Sequence, residues 1–377
     1  MREQLESVTM LGPFRGGSGY DHHTREFVRE FVRQGVAVQL RELRGWSPPL
    51  PPERQDPFFD GLAAPVPARV EVQFAMPHQV MPTPGLPCVN YTMFECARIP
   101  DWWVRHAERC TRVVVPGRSS YDAWVRSGVA PERLRIAPLG IRRELYDPLP
   151  PPLPLADGAG RPVESYGARF LNVAELSPRK NLLGLLRAWL RATRPGDDAI
   201  LLLKCSIWRE GMWELFRADF AEVCREEGRT LEEAAPVLLL MDYVPDAEMP
   251  RLYRAATHYV SLSFGEGWDM PMTEAAAAGL SLVAPRHSAY LDYLDDGSAH
   301  WIPVREVEVD FRGYLAQADV ALFDGMRWWM PDEDAAAALL REIIDGRAPP
   351  KQARARILER YGWDAVSRQL IEVLAEL

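Results

Sequence analysis

Twelve short apolar runs of strand length recur along this chain, separated by segments with helical periodicity, and that alternation leaves few folds open. In the first half the runs are 7–11, 36–40, 69–74, 88–92, 112–115 and 134–137; in the second they are 170–174, 199–204, 237–241, 257–262, 281–284 and 300–303. Val/Ile/Leu runs of this length suit parallel strands buried on both faces and covered by the helices between them. At 377 residues the chain is too long for one core. Two series of runs therefore predict an α/β protein with two doubly wound, Rossmann-like parallel-sheet domains. The Pro/Gly-rich stretch 147–160 can continue neither a helix nor a central strand and reads as the linker between them. The predicted domains are 1–155 and 161–350, followed by a terminal segment, 351–377. Within that segment Trp363, Val366, Leu370, Ile371 and Leu374 form one apolar helical stripe that must dock on something.

Charge narrows the partners. The net charge is −9 and the pI about 5.4, without the basic stripe of a nucleic-acid binder, so no nucleic-acid partner is expected. The charge is uneven: residues 1–160 hold 19 Arg against 18 acids, and residues 98–143 alone hold 10 Arg against four acids. This stretch reads as a solvated face or as an attractor for an anionic acceptor or lipid headgroups. Only three of the 44 basic residues are lysines, so each surviving lysine merits scrutiny. The five cysteines show no metal-type spacing and read as buried thiols. No apolar run approaches the roughly 18 residues of a membrane span. A cytoplasmic protein is expected, with peripheral contact to the inner face of a membrane left open.

In doubly wound sheets ligands bind beyond the carboxyl ends of the strands, where loops and helix N-termini offer N–H groups to anions. Three segments fit. The Gly-rich loop after the first run contains Gly16 and Gly17 and is either a ligand loop or a tight turn. Arg179 and Lys180 directly precede a helix whose N-cap is Asn181. Cations there oppose the helix dipole, which makes sense if an anion shares the site, the alternative being a solvated surface pair. The third segment, Ser263-Phe-Gly-Glu-Gly-Trp-Asp-Met-Pro-Met-Thr-Glu274, joins a strand to a helix that starts near Pro271 and stops at Gly279. Reading Glu274 as a dipole-complementing acid and Asp269 as an N-cap leaves Gly265, Glu266 and Gly267 without a purpose.

Glu266-Gly-Trp-Asp-Met-Pro-Met-Thr-Glu274 resembles the Glu-x7-Glu motif of the retaining glycosyltransferase family 4. Ser177-Pro-Arg-Lys-Asn181, Ala137-Pro-Leu-Gly-Ile141 and the segment from Val244 to Ala256, which opens Val-Pro-Asp-Ala-Glu-Met-Pro, match the same family at the expected positions. Tyr91-Thr-Met-Phe-Glu95 resembles a bacterial subgroup of it. The resemblance implies a GT-B fold, two Rossmann-like domains facing a central cleft, with the terminal helix crossing back onto the first domain. It implies a nucleotide-diphosphate sugar as donor substrate, no metal and no cofactor, and a glycan, lipid-linked or small-molecule acceptor. Carried over, Glu274 would bind the ribose, Glu266 the transferred sugar, and the backbone of Gly267, Trp268, Asp269 and Met270 the sugar and phosphates. Arg179 and Lys180 would neutralise the diphosphate, with Gly16 and Gly17 approaching it, and Tyr243 and Val244 would lie near the base.

Three positions depart from the pattern. Glu175 stands where many members have Arg, so Arg179 is expected to substitute. Asp269 replaces a customary Gly and is expected to turn from the phosphates toward a donor-sugar hydroxyl. Phe94-Glu95 stands where many members have His, leaving His78 or Glu95 as the candidate contact from the first domain. Two other readings remain open at this level. One is a GT-B epimerase or phosphorylase; the other is a non-catalytic sugar-nucleotide or glycan-binding partner of another transferase.

Overall fold

The computed structural model describes residues 5–207, 211–310 and 321–377. The chain divides into two compact units, one formed by Met1–Ile141 with Arg360–Leu377 and the other by Arg142–Glu359. All twelve runs singled out in the sequence are strands, and both large sheets are wholly parallel.

The first unit holds β1 (Ser7–Gly12), β2 (Ala37–Glu42), β3 (Glu71–Phe74), β4 (Cys88–Tyr91), β5 (Arg112–Val115) and β6 (Leu134–Ile136). Their order is β2-β1-β3-β4-β5-β6, the flavodoxin-like order with one more strand, and it reverses between β1 and β3. Ser18 starts the helix Gly19–Arg33 by accepting from the Asp21 amide, and the chain leaves it through Gly35, whose φ is +85°. Phe27, Val28 and Phe31 on that helix are fully buried.

The terminal helix Trp363–Ala375 belongs to this unit. Of its apolar stripe, Trp363, Val366, Leu370 and Leu374 are buried and Ile371 is half-buried. Trp363 stands edge-on to Phe27 at 5.1 Å, and its amide donates to the Ile141 carbonyl at 3.1 Å. Gly140 makes this approach feasible, since a Cβ there would lie 2.8 Å from the Trp363 Cα.

The second unit holds β7 (Ala168–Glu175), β8 (Ala199–Ser206), β9 (Val237–Leu240), β10 (His258–Val260), β11 (Ser281–Pro285) and β12 (Ala299–Ile302). Their order, β12-β11-β10-β7-β8-β9, is the Rossmann order, with its switch point between β7 and β10. Helix Leu182–Ala192 covers one face through Leu182, Leu185, Leu186 and Trp189. The Pro-rich stretch 147–160 lies within this unit, because the chain passes between units at Ile141 and Arg142. Its prolines cannot donate, but the Leu153 amide reaches the Arg251 carbonyl at 2.8 Å, and Ala156 bridges Pro162. The sequence reading did not anticipate the antiparallel hairpin of β13 (Val304–Glu308) and β14 (Arg327–Pro331). Among the described residues, no helix is long and apolar enough to cross a membrane.

Gly140→Ala should loosen the terminal helix, because its clash is with backbone and cannot be relieved by rotating a side chain. The cost expected of overpacking, about 1–3 kcal/mol, should appear as a lowered Tm. Faster amide exchange over residues 363–375 than elsewhere in the first unit would locate it.

Candidate functional site

The strands of the second unit deliver two loops to its switch point, one after β7 and one after β10. The first closes as a single 3-10 turn, Pro178–Lys180, and Asn181 then adopts the left-handed region, φ 49°. From there the Asn181 side chain accepts from the Gly184 amide at 3.1 Å and donates to the Leu262 carbonyl at 3.0 Å. One residue thus caps the helix and ties the β7 loop to the end of β10. The tie is doubled by the Phe264 amide, which donates to the Arg179 carbonyl at 2.9 Å.

This geometry brings Arg179 and Lys180 onto Glu266. Lys180 Nζ lies 2.7 Å from Glu266 Oε1, and Arg179 Nη1 lies 2.8 Å from Oε2 and 2.7 Å from the Gly265 carbonyl. The two cations before the helix therefore do share their site with an anion, and that anion is the protein's own carboxylate. Glu266 is only 4 % exposed. Burial alone would raise its pKa, but Arg179 and Lys180 outweigh it and hold the carboxyl well below its usual range. Burial works against the Lys180 ammonium too, and Glu266 and Asp269 overcome it, raising the pKa of the lysine.

Asp269 stands at the start of helix Met270–Ala277 without capping it, so the N-cap reading does not hold. Its φ of 65° lies where glycine is favoured and Asp is tolerated. That conformation turns the carboxylate away from the helix amides. Oδ2 accepts from the Tyr290 hydroxyl at 2.8 Å, while Oδ1 lies 3.5 Å from Lys180 Nζ and makes no hydrogen bond among the described residues. Burial, reinforced by neighbouring Glu266, pushes its pKa up to about 6 against the pull of Lys180.

A third loop, after β11, buttresses the second. His287 Nε2 donates to the Ser263 carbonyl at 2.7 Å, which makes Nδ1 the acceptor for the Ser288 hydroxyl at 2.7 Å. Burial keeps this imidazole neutral, with its pKa lowered to about 4. Ser288 Oγ in turn accepts from the Glu266 amide at 3.2 Å. From the hairpin, Trp329 stacks on His287 at 5.3 Å and donates its amide to the Phe264 carbonyl. Among the described residues the backbone amides of Gly267, Asp269 and Met270 make no hydrogen bond. Trp268 is a buried core residue whose carbonyl accepts from the Tyr293 hydroxyl at 2.9 Å. Glu274, one turn into the helix and half-buried, accepts from the Tyr253 hydroxyl at 2.7 Å. Tyr243 and Val244 follow β9, Tyr243 exposed and Val244 half-buried, and Glu175 is exposed at the end of β7.

The candidates of the first unit lie beyond the carboxyl ends of β1, β3 and β4. The Gly16 amide is already engaged by Asp21 Oδ1 at 2.7 Å, and Ser47 also donates to that carboxylate at 2.7 Å. A Cβ at Gly16 would meet Ser47 Oγ at 1.9 Å and Asp21 Oδ2 at 2.9 Å, so a larger residue there would displace the Ser47–Asp21 hydrogen bond. Gly17 is exposed. His78 is exposed and packs against Trp102 at 5.3 Å, and Glu95 is half-buried. Among the described residues no three His, Cys, Asp or Glu side chains gather as a metal-holding group. Tyr253, Tyr290, His287 and Ser288 are site residues that the sequence reading missed. Only the position of the last three, in or just past the loop at the end of β11, could have signalled them.

Ionising Asp269 costs stability, because its folded pKa lies above the ordinary carboxyl value. That cost is absent below about pH 4 and is fully present above about pH 6. The stability difference between Asp269→Asn and wild type should therefore move in favour of the variant as pH rises from 4 to 7, by about 2–3 kcal/mol. Urea unfolding at intervals of one pH unit would measure it.

No known protein-family profile matches the chain. Over 129 residues it is 29 % identical to an Escherichia coli O-antigen chain mannosyltransferase B. That stretch covers 33 % of this chain and 30 % of the mannosyltransferase, so the chain spans less than a third of the curated relative it matches. Among solved structures, Anabaena HepE in complex with UDP and glucose superposes with a TM-score of 0.64 at 13 % identity, covering 99 % of this chain and 100 % of that one. Sucrose-phosphate synthase from Thermosynechococcus elongatus gives 0.60 at 14 %, covering 98 % of each chain. A UDP-forming α,α-trehalose-phosphate synthase from Burkholderia vietnamiensis gives 0.62 at 11 %, covering 99 % and 100 %. At such identities the likeness establishes the fold: the chain has the two-Rossmann GT-B architecture.

Proposed function

We propose that this chain is a glycosyltransferase that takes a sugar from a nucleotide-diphosphate donor held by the second unit. The observation that carries the reading is the pairing, at a Rossmann switch point, of two clustered cations with the unengaged amides of Gly267, Asp269 and Met270. Amides at a helix N-terminus favour phosphate oxygens, and the cations add the charge that a diphosphate needs. Binding Glu266 does not exhaust these cations. An ammonium has three donors and a guanidinium five, and the carboxylate keeps lone pairs for a sugar hydroxyl. The partial match to an O-antigen mannosyltransferase and the fold shared with HepE in complex with UDP and glucose support the same reading.

In the proposed reaction the bond between sugar and diphosphate ionises, and negative charge grows on the leaving phosphate. Arg179, Lys180 and the fixed amides oppose that charge without having to reorganise. The reading extends to retention of anomeric configuration, with the leaving phosphate taking the proton of the acceptor on the same face, and to chemistry without a metal. Glu274, oriented by Tyr253, is assigned to the ribose hydroxyls, and the free Asp269 oxygen to a hydroxyl of the donor sugar. A glycan or lipid-linked acceptor is assigned to the first unit, which holds most of the Arg-rich stretch 98–143, with peripheral contact to a membrane as part of the proposal.

Glu274→Ala should weaken binding of nucleotide-diphosphate sugars about ten- to a hundredfold, since a hydrogen bond to a charged acceptor contributes roughly 1.5–3 kcal/mol. Calorimetric titration would show it, and unchanged affinity would remove the ribose assignment. Lys180→Ala should lower kcat about 10²–10³-fold while changing donor affinity much less, because the opposed charge develops toward the transition state. Steady-state turnover of a nucleotide sugar, with folding checked by circular dichroism, tests this. Full activity in both Lys180→Ala and Arg179→Ala would sink the proposed chemistry.

A further inference from the structure

The three lysines of this chain fare very differently. Lys180 is bound to Glu266, and Lys351 donates to the carbonyls of Asp296 and Ala299 at 2.6 and 2.8 Å. Lys204 is 9 % exposed, yet among the described residues its ammonium makes one bond, a long 3.4 Å contact to the carbonyl of its neighbour Cys205. An ammonium carries three donors and no acceptor, so burying one with a single poor partner is costly unless something else completes it.

The position of Lys204 indicates what that is. It lies near the carboxyl end of β8, in register with Val173 of β7 and Leu240 of β9. Leu201, Leu203 and Cys205 pack in the core with helix Leu182–Ala192, so strand alternation places Lys204 on the other face. Tyr259 and Val173 share that face, the Tyr259 hydroxyl donating to the Val173 carbonyl at 3.2 Å. Tyr253, which bonds Glu274, stands 6.3 Å from the Tyr259 ring. Lys204 therefore faces the side of the sheet that carries the proposed ribose contact. It is one strand beyond β7, away from Arg179 and Lys180 and toward Asp242 and Tyr243. In Rossmann sheets the end of the second strand serves the nucleoside rather than the diphosphate. Burial depresses the lysine's pKa, against smaller upward pulls from Cys205 and Asp242.

Resting on the donor reading above, we infer that Lys204 donates to a carbonyl oxygen on the nucleobase edge and so selects keto bases (uracil, thymine or guanine) over adenine. Adenine offers an amino group where those bases offer oxygen, and two donors cannot pair.

The test is calorimetric titration of the whole protein with UDP, TDP, GDP and ADP, for wild type, Lys204→Met and Lys204→Gln. Wild type should bind at least one keto-base nucleotide about tenfold or more tightly than ADP. Lys204→Met should lose about tenfold for that nucleotide and stay within about twofold for ADP. Lys204→Gln, which keeps a donor and also guards against misfolding of the methionine variant, should lose less. Equal losses for all four nucleotides would reassign Lys204 to the diphosphate, and no loss would make it a structural lysine; either result overturns the inference. A wild type that binds none of the four would instead overturn the donor reading itself, and with it this proposal.

Discussion

The carboxylate of Glu266, buried between Arg179 and Lys180, is the contact on which the second unit's site depends. It belongs to the β10 loop and its partners to the β7 loop, so one ionic cluster fixes the two sides of the switch point against each other. Removing a single member of such a buried cluster leaves an uncompensated charge, a loss of roughly 3–5 kcal/mol in comparable pairs. The neighbouring hydrogen bonds serve the same end. Asn181 spans the two loops, Ser288 holds the Glu266 amide, and His287 holds the carbonyl of Ser263. Because His287 is kept neutral by burial, this brace does not change its charge through the neutral pH range.

Much of this was legible in the sequence because it is written in local signals. Short Val/Ile/Leu runs separated by helical segments suit buried parallel strands by their length and spacing, and all twelve are strands. Asn181 reads as a cap from its place before an apolar helix, and Pro271 and Gly279 bound the next helix in the same way. The clustering of Arg179, Lys180 and Glu266 followed from the rule that ligand loops gather at the ends of strands.

What stayed hidden is non-local. The Gly16 loop reads equally as a ligand loop or a tight turn, and only the fold reveals that Asp21, five residues on, takes its amide. Tyr253 and Tyr290 stand on short helices and, as large aromatics, read as core until their hydroxyls are seen to end on carboxylates. The hairpin of β13 and β14 escaped because Val304–Glu308 sets two valines among three charged residues without a two-residue alternation, and so does not stand apart from a loop. Its partner strand begins 19 residues further on, so the pairing is set by tertiary contact. The apolar stripe after Trp363 announced that it must dock but not where; Gly140, which admits it, carries no such signal in isolation.

Among the described residues three non-glycine positions adopt the left-handed backbone region, Asn181, Asp269 and Ser288, and all three surround this one site. Each is a place where glycine would follow the same path with less strain. At Asp269, whose carboxylate caps no helix, the backbone that shapes the site is thus separable from the side chain that gives it chemistry. For Asp and for one class of Ser codon, glycine is a single base change away. A lineage carrying this fold could therefore shed or regain the Asp269 carboxylate while the loop keeps its course, and under the proposed assignment of Asp269 to a donor-sugar hydroxyl, substrate choice would drift on a scaffold that does not have to be rebuilt.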